Sequence, residues 1–348
     1  MRLLVGNATN AAASTGALPA AGIFRVLICR ISHSLGNTLL VTPLVQEIEA
    51  MWPGAEIDIV TRSAVAADIF STYSCVRNIY CLPRHGVRHP LRLLGQLRRM
   101  RQTPYDLAID TDPRSQTGRA LLLRSRARYK LGFVSGQKSG RISHGVDPVG
   151  APKHAGQIPV YLLRAALQRV ASDYPLLDLR LTRDEREEGR QILARLTVQT
   201  ARVGQRKGVI GIFANATGPK LLSRDWWREF MPVIDAHFAD FDIVEIVPAT
   251  GESMLDLKYP AYYSSSIRKL GKVVSQLSAL ICLDSGIMHL ARASGTPTAA
   301  IFTTTDPAEW GPYGSGAHIT RGENLTAEQV AHRLVDEVPA TVFRSVPA

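Results

Sequence analysis

A chain of 348 residues with 45% hydrophobic and 20% charged side chains is long enough to build two cores and too apolar for wholesale disorder. No apolar run approaches the ~20 residues that span a bilayer, which excludes a helical membrane protein. The net charge of +11 is concentrated: between Arg84 and Arg141 fourteen Lys and Arg face three acids, Asp106, Asp110 and Asp112, so this region alone carries the whole excess and points to an anionic partner.

Residues 1–22, rich in Ala, Gly, Ser and Asn with a single Arg, read as a flexible leader rather than a cleaved signal. The strand "FRVLICRIS" follows, and "RISHSLGNTLLVTP" runs from its end through a glycine turn into a helix beginning near Thr38, "NTLLVTPLVQEIEAMW". An α/β enzyme commonly places its reactive side chain at such a turn. Here the polar residue after Gly36 is Asn37, whose amide cannot take up a proton, so the turn lacks an obvious base.

Next come "AEIDIVTR", "VRNIYCL", a helix around "PLRLLGQLRRMRQ" and the strand "DLAIDT", and "ARYKLGF" closes the first half. "HAGQIPVYLLRAALQRVA" is helical, and "SDYPLLDLRLTRDE", with Pro175, reads as a linker. A second alternating series then runs from a helix over 184–196 through "GVIGIFAN", "SRDWWREFMPVIDAHF", "DIVEIVPA", "LGKVVSQLSAL", "ICLD", "IMHLARASG" and "TAAIFT" to a last helix "TAEQVAHRLVDEV". Strands alternating with helices predict an α/β protein of two doubly wound domains, 23–172 and 173–348, facing each other across a cleft with ligands at the carboxyl ends of the strands. The final helix is expected to pack back on the first domain.

Cys29, Cys75, Cys81 and Cys282 are scattered with no CxxC spacing, which fits reduced cytosolic thiols and no metal site. The basic region lacks interleaved aromatics and any nucleic-acid module. An anionic lipid surface, a phosphorylated substrate or simply a solvated Arg-rich helix face remain open for it.

The most specific stretch is "ICLDSGIMHLARASGTPTAAIFTTTDPAEWGPYG". A strand ending in Asp284 gives way to a Ser285-Gly286 turn and a helix whose opening amides form an anion site suited to a diphosphate. Taken alone, Asp284 is as readily a helix N-cap, and His289 as readily a packed core histidine. Taken together the stretch resembles the donor-binding signature of glycosyltransferase family 9, the ADP-heptose:lipopolysaccharide heptosyltransferases. The likeness is carried by Asp284, Ser285, Gly286, Met288, His289, Leu290 and Ala291, then Gly295-Thr296-Pro297, Thr305-Asp306-Pro307 and Trp310-Gly311-Pro312. "RISHSLGNTLLVTPL", "DLAIDTDPRSQTGRALL", "NATGPKLLSRDWW" and "PATGE" fall in the family's order, so that the resemblance spans roughly residues 23 to 335.

The resemblance implies a GT-B fold of two Rossmann-like domains, acceptor on the first and nucleotide sugar on the second, with no metal and no further cofactor. It implies donor contacts from Thr217, Lys220, Glu252, Asp284, Ser285, Gly286, Met288 and His289, with Lys220 also meeting the leaving diphosphate. Its partners would be ADP-heptose and an anionic glycolipid such as the lipopolysaccharide inner core, reached by peripheral contact with the cytoplasmic face of the inner membrane, and no nucleic acid. The family has Gly-Asp where this chain has Gly36-Asn37, one extra residue lies between Arg30 and Gly36, and the family's Phe-Gly-Pro-Thr is here Phe302-Thr303-Thr304-Thr305. His33, Asp110 or Asp112 then serves as base, or Asn37 merely orients the acceptor, or the protein binds without catalysing. An enzyme of the same fold with another nucleotide sugar, such as a 2-epimerase, is the other alternative, whereas a Rossmann dehydrogenase is disfavoured because no GxGxxG follows the first strand.

Overall fold

The computed structural model describes residues 16–84, 88–134, 142–169, 171–198 and 207–338. The chain divides into two compact units, Met1–Pro175 and Leu176–Ala348. Each holds one six-stranded sheet, and every strand pairing in both is parallel.

In the first unit β1 (Arg25–Cys29), β2 (Glu56–Thr61), β3 (Val76–Cys81), β4 (Pro104–Asp110), β5 (Arg126–Phe133) and β6 (His144–Val146) lie in the order β3-β2-β1-β4-β5-β6. The central strands are continuous aliphatic runs, as a parallel sheet covered on both faces demands; Val26, Leu27, Ile28 and Cys29 are all fully buried. The helices are α1 (Leu35–Leu39), α2 (Thr42–Met51), α3 (Ala66–Phe70), α4 (Pro90–Gln102), α5 (Gln116–Arg124) and α6 (Ile158–Ala166). Where the sequence predicts one helix from near Thr38, the structure has two. Ser34 caps α1, its Oγ accepting from the Asn37 amide, so the helix starts three residues early. Pro43 then has no N–H for the Leu39 carbonyl, and the Thr42 hydroxyl donates to that carbonyl instead at 2.8 Å, which lets the chain turn into α2.

Of the expected leader, residues 1–15 lie outside the described residues. The rest departs from a flexible tail: Leu18 is buried, its amide donates to the Ala166 carbonyl, and the Trp52 indole donates to Ala20.

The second unit repeats the plan with β7 (Gly208–Phe213), β8 (Phe241–Val247), β9 (Ala261–Tyr263), β10 (Ala279–Leu283), β11 (Thr298–Phe302) and β12 (Ala317–Arg321), ordered β12-β11-β10-β7-β8-β9. Its helices are α7 (Arg183–Thr197), α8 (Arg224–His237), α9 (Ile267–Val274), α10 (Gly286–Ala293), α11 (Pro307–Trp310) and α12 (Ala327–Glu337). A capping box between Thr182 and Glu185 opens α7. A Cβ on Gly189 would collide with the Lys272 backbone carbonyl, so glycine sets the close approach of α7 and α9. The expected linker is an ordered strap on this unit: Leu177, Leu179 and Leu181 are buried, and the Leu179 amide donates to Ala293. The final helix, α12, buries Val330, Ala331 and Leu334 in its own unit's core with Trp227 and Phe230 of α8.

Candidate functional site

Both sheets have one place where the strand order reverses, between β1 and β4 in the first unit and between β7 and β10 in the second. Crossover helices diverge to opposite faces there and leave a crevice at the carboxyl ends of the strands. Some of the side chains singled out by sequence, Lys220, Asp284, Asn37 and Asp112 among them, lie in the segments that follow the strands at these two places.

In the second unit β7 runs out through Asn215 to a single 3-10 turn, Gly218–Lys220, after Gly218 adopts a left-handed φ of 64°. The turn brings Lys220 Nζ to 3.2 Å from Asp284 Oδ2. Thr305 donates its hydroxyl to the same carboxylate oxygen. Asp284 is only 6% exposed, and a carboxylate so far from water needs such partners. The N-cap alternative does not hold: Ser285 occupies the N-cap of α10, and Asp284 faces Lys220 and Thr305 instead. The Ser285 hydroxyl is buried and makes no hydrogen bond among the described residues. It stands beside the opening amides of α10 at Gly286, the positive end of a helix dipole.

Met288 and His289 stand differently from the expectation. Met288 is fully buried and His289 nearly so, so both pack largely inside the unit in the first turn of α10. Thr217 is exposed with no side-chain capping bond. Glu252 lies in the exposed loop after β8, paired with Arg224 at 3.2 Å, and its backbone carbonyl accepts from Asn215. The loop is anchored by the buried Glu245, whose carboxylate accepts from the Ser253 hydroxyl and the amides of Met254 and Leu255.

In the first unit the centre is Arg30, which no motif singles out, although a charge ending the aliphatic β1 is a signal in the sequence. Its guanidinium is buried and donates to Asn37 Oδ1 at 2.9 Å, while Asp112 Oδ2 lies 3.9 Å away. Burial draws the Arg30 pKa below its ordinary value; Asp112 opposes this, Arg114 adds to it and Asp110 opposes it. Asn37 also donates to the Ser32 hydroxyl at 3.1 Å, so both ends of its amide are engaged. Asp110, expected as a possible base, is instead an anchor within the unit. Its side chain is wholly buried and accepts from Arg119 Nε at 3.1 Å, and Arg119 reaches on to the Phe133 carbonyl. That pair ties α5 to β4 and β5 and holds the carboxylate away from solvent. Asp112, two residues on, is partly open. His33 is exposed on the turn before α1.

The four cysteines are free thiols; burial pushes Cys29 and Cys282 up, with Asp110 and Asp284 adding respectively, which leaves both unreactive. Among the described residues, no helix is long and apolar enough to cross a membrane.

Two six-stranded parallel sheets, each doubly wound, define the GT-B class of α/β fold. Residues 265–337 match the family model described as glycosyltransferase family 9 (heptosyltransferase), a segment that contains Asp284, the start of α10 and Thr305. Solved structures agree over at least 90% of the chain. A glycosyl transferase family 9 protein from Veillonella parvula superposes with a TM-score of 0.73 at 16% identity, covering 93% of this chain and 100% of that one. The E. coli ADP-heptose lps heptosyltransferase II gives 0.66 at 18% identity over 91% and 98%, and E. coli heptosyltransferase WaaC with ADP gives 0.65 at 17% over 90% and 100%. No curated protein matches by sequence. The chain thus has a heptosyltransferase-like GT-B fold, and its resemblance to family 9 stands.

Proposed function

We propose that this chain is a glycosyltransferase that moves heptose from ADP-heptose to an anionic glycolipid of lipopolysaccharide type, with inversion, needing neither a metal nor a further cofactor. It works on the cytoplasmic face of the inner membrane. The observation that carries this is the Lys220–Asp284 pair at the switch point of the second unit, beside the α10 amides. Inverting transfer passes through an oxocarbenium-like state as a diphosphate departs. Lys220 and the amides after Ser285 neutralise the leaving charge, Asp284 accepts from donor sugar hydroxyls, and Glu252 accepts from the ribose.

The acceptor hydroxyl must lose its proton on the first unit. Asn37 has no basicity, and Asp110 is sealed against Arg119. The His33 ring is exposed with no side-chain partner among the described residues to orient it. We assign the base to Asp112, whose carboxylate is accessible and neighbours Arg30. Asn37 then holds Arg30 and the turn in place. The resemblance favours a second function, a nucleotide-sugar binder without turnover, because it implies an Asp where this chain has Asn37.

The test is product formation, followed by mass spectrometry, from ADP-heptose and a heptose-deficient lipopolysaccharide core. Transfer by the native chain that is lost in Asp284→Ala supports the enzyme. Nucleotide-sugar binding without product supports the binder.

A further inference from the structure

We propose that α4 is a docking helix for an anionic lipid surface, and that Leu91 and Leu94 enter the membrane interface while the arginines around them hold lipid phosphates. The core-facing side of α4 is settled: Met100 is buried, and Leu93 and Leu97 pack on the cluster of Leu27, Tyr80, Tyr105 and Leu121. On the opposite side Leu91 is 84% and Leu94 61% exposed. Leu91, Leu94, Arg98 and Arg101 recur at i, i+3, i+7 and i+10, which places them on one outward ridge. Arg92 and Arg99 lie on the next exposed face of the helix, and the helix contains no acidic residue.

Ordinary causes do not account for this ridge. Arg99 and Arg101 complement the negative end of the helix dipole, but Arg92 in the first turn and Arg88 before it crowd positive charge onto the end where the dipole disfavours it. Two leucines standing in water among them gain nothing from the fold. Exposed leucines flanked by arginine on one helix face are the pattern of an interfacial helix: apolar side chains sink to the acyl boundary while cations meet the headgroups. A nucleic acid would meet the arginines but leave the leucines unused, and the helix offers no aromatic ring for a base to stack on.

Position supports the same occupant. The helix runs back from the end of β3 to the start of β4, so Leu91 and Leu94 lie near the carboxyl edge of the sheet, the edge that carries Arg30, Asn37 and Asp112. A lipid surface held there is beside the site assigned to the acceptor. The assignment deepens the glycolipid reading of that acceptor and rests on it for the source of the surface. The test below uses neither donor nor acceptor, so it fails or succeeds independently of the transferase assay.

The full chain is sedimented with vesicles of phosphatidylcholine plus phosphatidylglycerol and with phosphatidylcholine alone. Binding is expected only to the first. Arg98→Gln with Arg101→Gln is expected to weaken it roughly 30-fold, from about 1 kcal/mol per arginine at a charged surface. Leu91→Ser with Leu94→Ser is expected to weaken it at least about tenfold, with thermal stability unchanged because both leucines are exposed. A Leu94→Trp variant should shift its emission to the blue on adding anionic vesicles. Failure of the native chain to sediment, unchanged binding by the leucine variant, or a tryptophan spectrum indifferent to vesicles would each overturn the proposal.

Discussion

The two switch points share a strand order and differ in how each treats its carboxylates. In the second unit a single acid, Asp284, is drawn into direct contact with Lys220 and Thr305, so cation and anion are already assembled around one spot. In the first unit there are two acids two residues apart, and the fold divides them: Asp110 is buried on Arg119, while Asp112 stays partly open at 3.9 Å from Arg30. Arg30 makes its close contact with an uncharged amide. Topology fixes where a ligand site falls, and the identity of one or two side chains decides whether it is poised to bind charge or to accept a proton.

That division is most sharply tested by changing each acid at the end of β4 to its amide. Asp112→Asn keeps the oxygen that accepts from the Arg114 amide and removes the basicity, so transfer is expected to fall by ~10²–10⁴, with a stability loss of about 1 kcal/mol because buried Arg30 loses the carboxylate 3.9 Å away. A rate that hardly changes would return the base to His33. Asp110→Asn should do the opposite. It leaves the Arg119 guanidinium buried without a countercharge, at a cost of about 3–5 kcal/mol, read as a lower urea midpoint. A stable Asp110→Asn chain with the rate abolished would reverse the two assignments.

In the second unit the equivalent cut does not separate stability from chemistry, because one pair serves both. Lys220→Ala is expected to lower turnover by ~10²–10³ through loss of charge stabilisation on the leaving group. It also leaves Asp284 short of its cation, costing about 1–3 kcal/mol. Single-turnover rates and denaturation on the same preparation check both. Intact turnover would remove Lys220 from the leaving-group role.

How far the sequence reveals these features depends on the distance over which each is determined. The aliphatic strands β1 and β10 are legible because burial on both faces writes itself as an unbroken run. The three-residue strands β6 and β9 are not, since the neighbouring strand rather than their own composition makes them strands. The strap at Leu177, Leu179 and Leu181 carries a signal, alternation at period two, that the proline nearby obscures. In the site, Asp284 and Lys220 are legible through motifs 64 residues apart, whereas Thr305 lies in the Thr-Asp-Pro motif with nothing in the sequence to show that it meets Asp284. Asp110 and Asp112 cannot be told apart from sequence, because Arg119, from the next helix, decides which is buried. The resemblance makes Met288 and His289 donor contacts, whereas the helix period turns both toward the core.

The smallest expected effect belongs to Asn37, the amide at a turn where a base is expected. Asn37→Asp exchanges the neutral acceptor 2.9 Å from Arg30 for a carboxylate and gives up the amide donor to Ser32. The charge-assisted bond gains, the Ser32 contact is lost, and stability should move by no more than about 1 kcal/mol. With Asp112 as base, a second carboxylate on Arg30 competes with the first for one guanidinium, and kcat/KM should stay within about tenfold of the native value. If the native chain is silenced by its amide, the same substitution supplies the missing base, and the rate should rise by ~10² or more. The two expectations are separated by a full order of magnitude, so one steady-state comparison decides whether this turn has moved its base to the neighbouring strand end or has lost it.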